Sequence, residues 1–281
     1  MSDRKLIFLD FDGTLLPPGE MVVPDSALEA VRRARAAGHQ VFLCTGRNYR
    51  MTAPLLEAGF DGYVCSAGGY VVCGDEVLVD LPLPPRQVQD LCRVLEQNGV
   101  ECTLEARDDT FGGQQMLRRF DALLNRPGHV LNSEAERWRR AMQQGMTLRP
   151  LSDYQGQPIY KVVYIAPDQA SLAEARRLYE HQFFFCESPV DEAVPMVNGE
   201  LIDRRFSKGE GIRAICRHLG RSLSDTIGFG DSDNDLAMAE VVGISVCMAN
   251  GSESLKQRCQ RICPAVTQDG IAREFAALGL L

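Results

Sequence analysis

No stretch of this 281-residue chain reaches the ~18 consecutive apolar residues that a bilayer-spanning helix needs, and none carries a long run of one charge sign. The first lack argues against a membrane protein. The opening residues pass from Met1 through Asp3 and Arg4 straight into a short apolar segment, without the shape of a secretory leader, so a cytoplasmic location is expected. With 30 Lys and Arg against 38 Asp and Glu, net −8, the chain lacks the clustered cations that a nucleic-acid backbone requires. The basic pairs Arg32-Arg33, Arg118-Arg119 and Arg139-Arg140 fall in helical patterns and read as solvated faces. There is no internal repeat and no low-complexity tract. Ten cysteines are dispersed, several of them (Cys44, Cys65, Cys247) inside apolar runs where buried reduced thiols are expected. Cys259 and Cys263 have no second pair at metal-ligand spacing, which argues against a zinc site.

What remains is an ordinary globular composition, 45% hydrophobic and 24% charged, long enough for one large or two modest domains. The first third alternates short apolar runs with an amphipathic segment, the pattern of a parallel sheet wrapped by helices. Strands are expected at 5–10, 40–44 and 62–65, with a hairpin over 69–81. A helix opened by a capping box at Ser26 and Glu29 stops at Gly38. Three prolines in Leu81-Pro-Leu-Pro-Pro85 mark a stiff boundary. Beyond it come a helix over 86–98, strands near 100–105 and 109–112, and helices near 114–125 and 133–144, the second with a capping box from Ser133 to Glu136. Strand 159–166, helix 168–181 and strand 182–187 follow, the last with Phe183-Phe-Phe185 as its core. The chain then returns to the first domain. Helix 207–219 opens with a capping box at Ser207 and Glu210, strand 225–230 leads into an acidic loop, and strand 243–248 and a C-terminal helix from about 269 complete it. The expected domains are 1–82 and 201–281 together, with 83–200 inserted.

Asp10-Phe-Asp12-Gly13-Thr14 stands where a buried strand leaves the sheet, the edge at which open α/β sheets bind ligands. Two carboxylates this close beside apolar residues need a cation or hydrogen bonds to offset their repulsion. One of them can attack as a nucleophile while the other serves as acid and base. Four fixed residue types at ordinary usage recur by chance at about 10⁻⁵ per position. Gly230-Asp231-Ser-Asp-Asn234-Asp235 follows another buried strand and offers the hard oxygens that magnesium prefers. Thr45-Gly46-Arg47, after the second strand, combines a hydroxyl, a flexible backbone amide and a cation, all suited to phosphate. Lys208 sits in the first turn of a helix, where the macrodipole disfavours a cation, and an anionic partner explains it better than helix design.

This ordered set resembles the haloacid dehalogenase (HAD) superfamily of phosphohydrolases. Asp10-Phe-Asp-Gly-Thr14 looks like its first motif, Thr45 its second, Lys208 its third and Gly230 to Asp235 its fourth. The long insert, with Cys44-Thr-Gly-Arg47 and Ser207-Lys-Gly209, is similar to Cof-type members with a type IIB cap. The resemblance implies an α/β fold: a HAD-like Rossmannoid core with a parallel sheet plus an inserted α+β cap. It implies that Asp10 attacks phosphorus and that Asp12 protonates the leaving oxygen, then activates water. It implies Mg²⁺ held by Asp10, the Asp12 carbonyl and Asp231, with Asp235 close by. Thr45 and Lys208 would bind phosphoryl oxygens, with Gly46, Arg47 and Asn234 as further contacts. Cof-type chains usually carry Asn-Gly after the third strand, where this one has Ser66-Ala67-Gly68-Gly69; the missing amide bears on substrate contacts there.

The expected activity is Mg²⁺-dependent hydrolysis of a small-molecule phosphate ester, a sugar phosphate first, with a flavin-precursor phosphate or pyridoxal phosphate beside it. A phosphomutase, a catalytically inactive sugar-phosphate sensor and a receiver-like switch are the alternatives; the last has no need of Asp12. In the cap, Arg107, Arg118, Arg119 and Tyr160 are residues that could meet a polar substrate.

Overall fold

A computed structural model describes residues 4–18, 20, 22–52, 59–113, 148–189 and 196–281. The expected helices near 114–125 and 133–144, with Arg118, Arg119 and the Ser133 capping box, lie outside them. The chain divides into two units, Met1–Asp80 with Phe206–Leu281, and Leu81–Arg205.

The first unit is built on an eight-stranded sheet. Its strands are β1 (Leu6–Leu9), β2 (Gln40–Cys44), β3 (Gly62–Cys65), β4 (Tyr70–Cys73) and β5 (Glu76–Asp80), then β12 (Thr226–Gly230), β13 (Ile244–Met248) and β14 (Arg261–Cys263). Their order is β14-β13-β12-β1-β2-β3-β4-β5, parallel from β14 to β3 and antiparallel beyond. β1 is all apolar and fully buried because it pairs on both edges and is covered on both faces, as parallel strands are. On one face Phe8 and Phe42 stack at 5.0 Å and pack with Ile212, Ile215 and Met238. These last come from helices α5 (Lys208–Leu219) and α6 (Leu236–Ala239). On the other face Phe229 of β12 meets Phe275 at 5.4 Å, on helix α8 (Gly270–Ala277), which packs against α1 (Asp25–Ala36). Short helices α2 (Tyr49–Thr52) and α7 (Glu253–Arg258) follow β2 and β13.

Strands β2 and β3 take the limits their apolar runs suggest, and β4 with β5 forms the expected hairpin. The capping box at Ser26 does not form. Pro24, extended at φ −55 and ψ 137, is the N-cap, so Ser26 falls inside the first turn and its hydroxyl donates instead to Asp269 at 2.6 Å. α7 and β14 were not foreseen; both are too short for periodicity to register.

The second unit holds β6 (Glu101–Ala106), β7 (Thr110–Gly112), β8 (Arg149–Pro150), β9 (Ile159–Ala166), β10 (Phe183–Pro189) and β11 (Val197–Asp203), in the order β10-β11-β9-β6-β7-β8. Helices α3 (Pro85–Gln97) and α4 (Ala173–Tyr179) accompany them. Val88, Leu91 and Leu95 of α3 pack on Leu104, Val162, Tyr164 and Phe183. The second crossing comes after Arg205, later than the expected 200/201, because every residue of β11 pairs with β10 and most also pair with β9. Phe183-Phe-Phe185 follows the period-2 rule of a strand. Phe183 is buried, whereas Phe184 is 45% exposed beneath the Arg204 guanidinium at 3.8 Å. Arg107 is exposed and pairs with Asp108, and Tyr160 is buried in β9. Lys161 is the unusual core residue: its ammonium lies 3.2 Å from Glu105 and 2.7 Å from Glu200.

Candidate active site

The register of the parallel strands assembles the site. Leu9 is level with Phe229 on β12 and with Leu43 on β2, so Asp10, Asp231 and Thr45 leave the sheet side by side. Chain progression runs from β1 towards β3 on one side and, much later, from β12 towards β14 on the other. Asp10 therefore stands at the switch point of the sheet, the crevice where open α/β folds bind ligands.

Asp10 is buried and held by its amide, which donates to the Phe229 carbonyl at 2.9 Å. Lys208, the first residue of α5, reaches back to three acceptors: Asp10 Oδ1 at 2.7 Å, Asn234 Oδ1 at 2.8 Å and Asp235 Oδ1 at 2.5 Å. The helix itself is capped by Ser207, whose hydroxyl accepts the Glu210 amide at 3.2 Å. A cation placed against the macrodipole is thus held by anions from two other elements. Burial alone would lower the Lys208 ammonium, but Asp10 and Asp235 outweigh it and raise it above its ordinary value, so it stays charged.

Asp235 accepts three hydrogen bonds. Its Oδ1 takes Lys208, and its Oδ2 accepts the amides of Asp231 and Ser232 at 3.0 and 3.2 Å. Asp231 is steered by Thr14, whose hydroxyl donates to Oδ1 at 3.4 Å, and by Ser252, whose amide donates to its carbonyl at 2.7 Å. Gly13 makes room for it: a Cβ there would lie 2.1 Å from Asp231 Oδ2, and φ is +83. The Gly13 carbonyl accepts from Asn250 Nδ2 at 2.8 Å, and Asn250 Oδ1 takes the Val266 amide. Asn250 and Ser252 escaped the sequence reading; their one signal is position, in the polar loop just beyond a buried strand.

Asp12 points elsewhere. Arg47 grips both of its oxygens, Nε to Oδ2 at 2.8 Å and Nη2 to Oδ1 at 2.7 Å, while its guanidinium lies 4.5 Å from the Phe11 ring centre. Arg47, expected among the phosphate contacts, makes here a fork that positions the second carboxylate. Thr45 is buried and its Oγ1 accepts the Arg47 amide at 3.1 Å, with Gly46 in the turn between them. The loop at Ser66 to Gly68 ties back to the same turn, since the amides of Ser66 and Ala67 donate to the carbonyls of Arg47 and Thr45.

Asp10, Asp231 and Asp235 each bring a carboxylate oxygen within 4.8 Å of the others, all three residues buried. One lysine does not balance three carboxylates. Burial and then Asp235 push Asp10 up to about 7 against the pull of Lys208. Burial, Asp10 and Asp235 push Asp231 up to about 9. A hard, oxygen-binding metal ion fits this donor set, because a further cation is what the cluster lacks. Asp235 already accepts three hydrogen bonds, which leaves Asp10 and Asp231 the less encumbered carboxylates of the three.

A sheet-edge aspartate beside a buried lysine, a hydroxyl and a metal-competent carboxylate defines a hydrolase of the phosphoryl-transfer type. A model of the haloacid dehalogenase-like hydrolases matches residues 7–275, and the chain belongs to that family. The pyridoxal phosphate phosphatase YbhA of Escherichia coli strain K12 is 27% identical, over 96% of each chain. The 5-amino-6-(5-phospho-D-ribitylamino)uracil phosphatase YitU of Bacillus subtilis strain 168 is also 27% identical, over 95% of each. The subclass IIB sugar phosphatase BT4131 shares the fold at TM-score 0.77 and 21% identity, with 99% of this chain and 100% of that one covered. The chain is an enzyme, a phosphoric monoester hydrolase of this family with the core-plus-cap α/β fold.

Proposed function

We propose that this protein is a Mg²⁺-dependent phosphatase that cleaves a small-molecule phosphate monoester through a phosphorylated Asp10. The observation that supports it is the Lys208–Asp10 contact at 2.7 Å inside a buried carboxylate group that includes Asp231. Asp10, the Asp12 carbonyl and Asp231 would hold the magnesium, which supplies positive charge to the phosphoryl oxygens. Lys208 holds Oδ1 of Asp10, which leaves Oδ2 to attack phosphorus. Asp12 gives a proton to the departing ester oxygen, for which one of its two bonds to Arg47 has to open. It then takes a proton from water as the water oxygen attacks the aspartyl-phosphate, releasing inorganic phosphate and restoring Asp10. The Thr45 hydroxyl, whose oxygen already accepts a backbone amide, has its proton to offer a phosphoryl oxygen. Such a site works by positioning and electrostatics.

Sugar phosphates are the substrate class proposed first. Pyridoxal phosphate and a ribitylaminouracil phosphate come next, because relatives across the whole length act on them by name. The test is phosphate release from a panel of these esters, with and without Mg²⁺, by the native chain and Asp10→Asn. Metal-dependent turnover abolished by the substitution supports the mechanism. Turnover that needs a bisphosphate primer would point to a mutase, and binding without turnover to a sensor. Undiminished release by Asp10→Asn would overturn the covalent route.

A further inference from the structure

None of the ten cysteines is in a disulfide, and one pair is set close together away from the catalytic group. Cys92 lies on α3 and is partly exposed; Cys102 lies on β6 and is buried. The Cys102 thiol donates to the Cys92 sulfur at 3.9 Å. The turn between them is tightly made: the Gly99 and Val100 amides return to the carbonyls of Glu96 and Leu95, and Gly99 adopts φ +71. Leu91 and Leu95 anchor the helix in the core beside it. Helix and strand are thereby held with their two sulfurs facing. A disulfide requires about 2.05 Å, so the sulfurs need to close by roughly 2 Å, within the sweep of a χ1 rotation.

We infer that Cys92 and Cys102 form a reversible disulfide that staples α3 to β6. Cys92 is the attacking thiol, since it is the one solvent reaches. The donated S–H bond acts in the same sense, lowering Cys92 and, together with burial, raising Cys102. With oxidised glutathione as the oxidant, the Cys92 thiolate attacks one sulfur of the glutathione disulfide and expels glutathione thiolate. Cys102 then loses its proton and attacks the Cys92 sulfur of the mixed disulfide, expelling the second glutathione thiolate. Two protein thiols are oxidised, one glutathione disulfide is reduced, and the two released protons go to the two glutathiones.

Trypsin separates the two cysteines, because Arg86, Arg93 and Arg107 bracket them. The native protein is incubated with oxidised glutathione, alkylated, digested without reductant and mapped by mass spectrometry. The expected product is peptide 87–93 joined to peptide 94–107 with two hydrogens lost, reversed by dithiothreitol. The exposed Cys186 is the internal standard for reaction with glutathione. Cys102→Ser is expected to leave Cys92 carrying glutathione, and Cys92→Ser to leave Cys102 reduced. A closed loop should also raise the melting temperature of the native protein by a few degrees. Recovery of the two peptides separately, while Cys186 has reacted, would overturn the pairing. Glutathione on Cys102 in Cys92→Ser, with Cys92 untouched in Cys102→Ser, would overturn the order of attack.

Discussion

Replacing Asp231 by Asn should make the metal-free protein more stable and at the same time remove its stabilisation by magnesium. A folded carboxyl raised above its unfolded value binds more protons than the unfolded one, so stability falls as pH rises through that window. The window runs from 3.8 to about 7 for Asp10 and from 3.8 to about 9 for Asp231. At pH 7 the unfolded Asp231 is ionised, whereas the folded one holds a proton. Each pH unit above 3.8 therefore costs about 1.4 kcal/mol at this carboxyl, or roughly 4 kcal/mol by pH 7. Part of the relief passes to Asp10 in the same cluster, so a gain of about 2–4 kcal/mol is expected for Asp231→Asn, with the melting temperature rising by several degrees. At pH 5 little more than one unit separates the solution from 3.8, and the advantage should shrink to about 1–2 kcal/mol. Asparagine keeps the oxygen that Thr14 donates to, so the loop is retained. Magnesium should raise the melting temperature of the native chain, more at pH 8 than at pH 5, because it displaces the bound protons, and should leave the variant nearly unchanged. The assay is differential scanning calorimetry of metal-stripped protein at both pH values, titrated with Mg²⁺. A variant less stable than native at both, and still stabilised equally by magnesium, would refute the electrostatic reasoning.

Gly13→Ala puts a methyl 2.1 Å from Asp231 Oδ2 at φ +83; a loss of about 1–3 kcal/mol and of the magnesium-induced melting shift is expected in the same scans. Lys161→Met should cost about 3–5 kcal/mol by chemical denaturation, because it removes the buried ammonium that lies against both Glu105 and Glu200; a neutral result would show that the group is solvated. Arg47→Lys keeps the charge but replaces the fork on Asp12 by a single contact. A roughly 10-fold lower kcat with KM and melting temperature little changed is expected from phosphate-release kinetics, and a rise in KM alone would return Arg47 to substrate binding.

The carboxylates Asp10, Asp12, Asp231 and Asp235, with Thr45 and Lys208, stand out from the chain text because each lies at the end of a local pattern. A buried strand is an apolar run, and a polar cluster directly after it must sit at the sheet edge. The limits of β2 and β3, the β4–β5 hairpin and the strand β9 follow from the same short-range rules. Partnership across the fold is another matter. Lys208 and Asp10 are 198 positions apart, and Asn250 and Gly13 are 237 apart. Their meeting depends on strand register, which no local window contains. The same holds for Ser26, drawn to Asp269 by the packing of α1 on α8, and for β11, which pairs with β10 and β9 before the chain returns to the first unit. Arg47 shows the division within a single residue. Its place in the turn just after β2 was readable, whereas its grip on Asp12 was decided only by the parallel pairing of β1 with β2, which brings the two strand ends within reach.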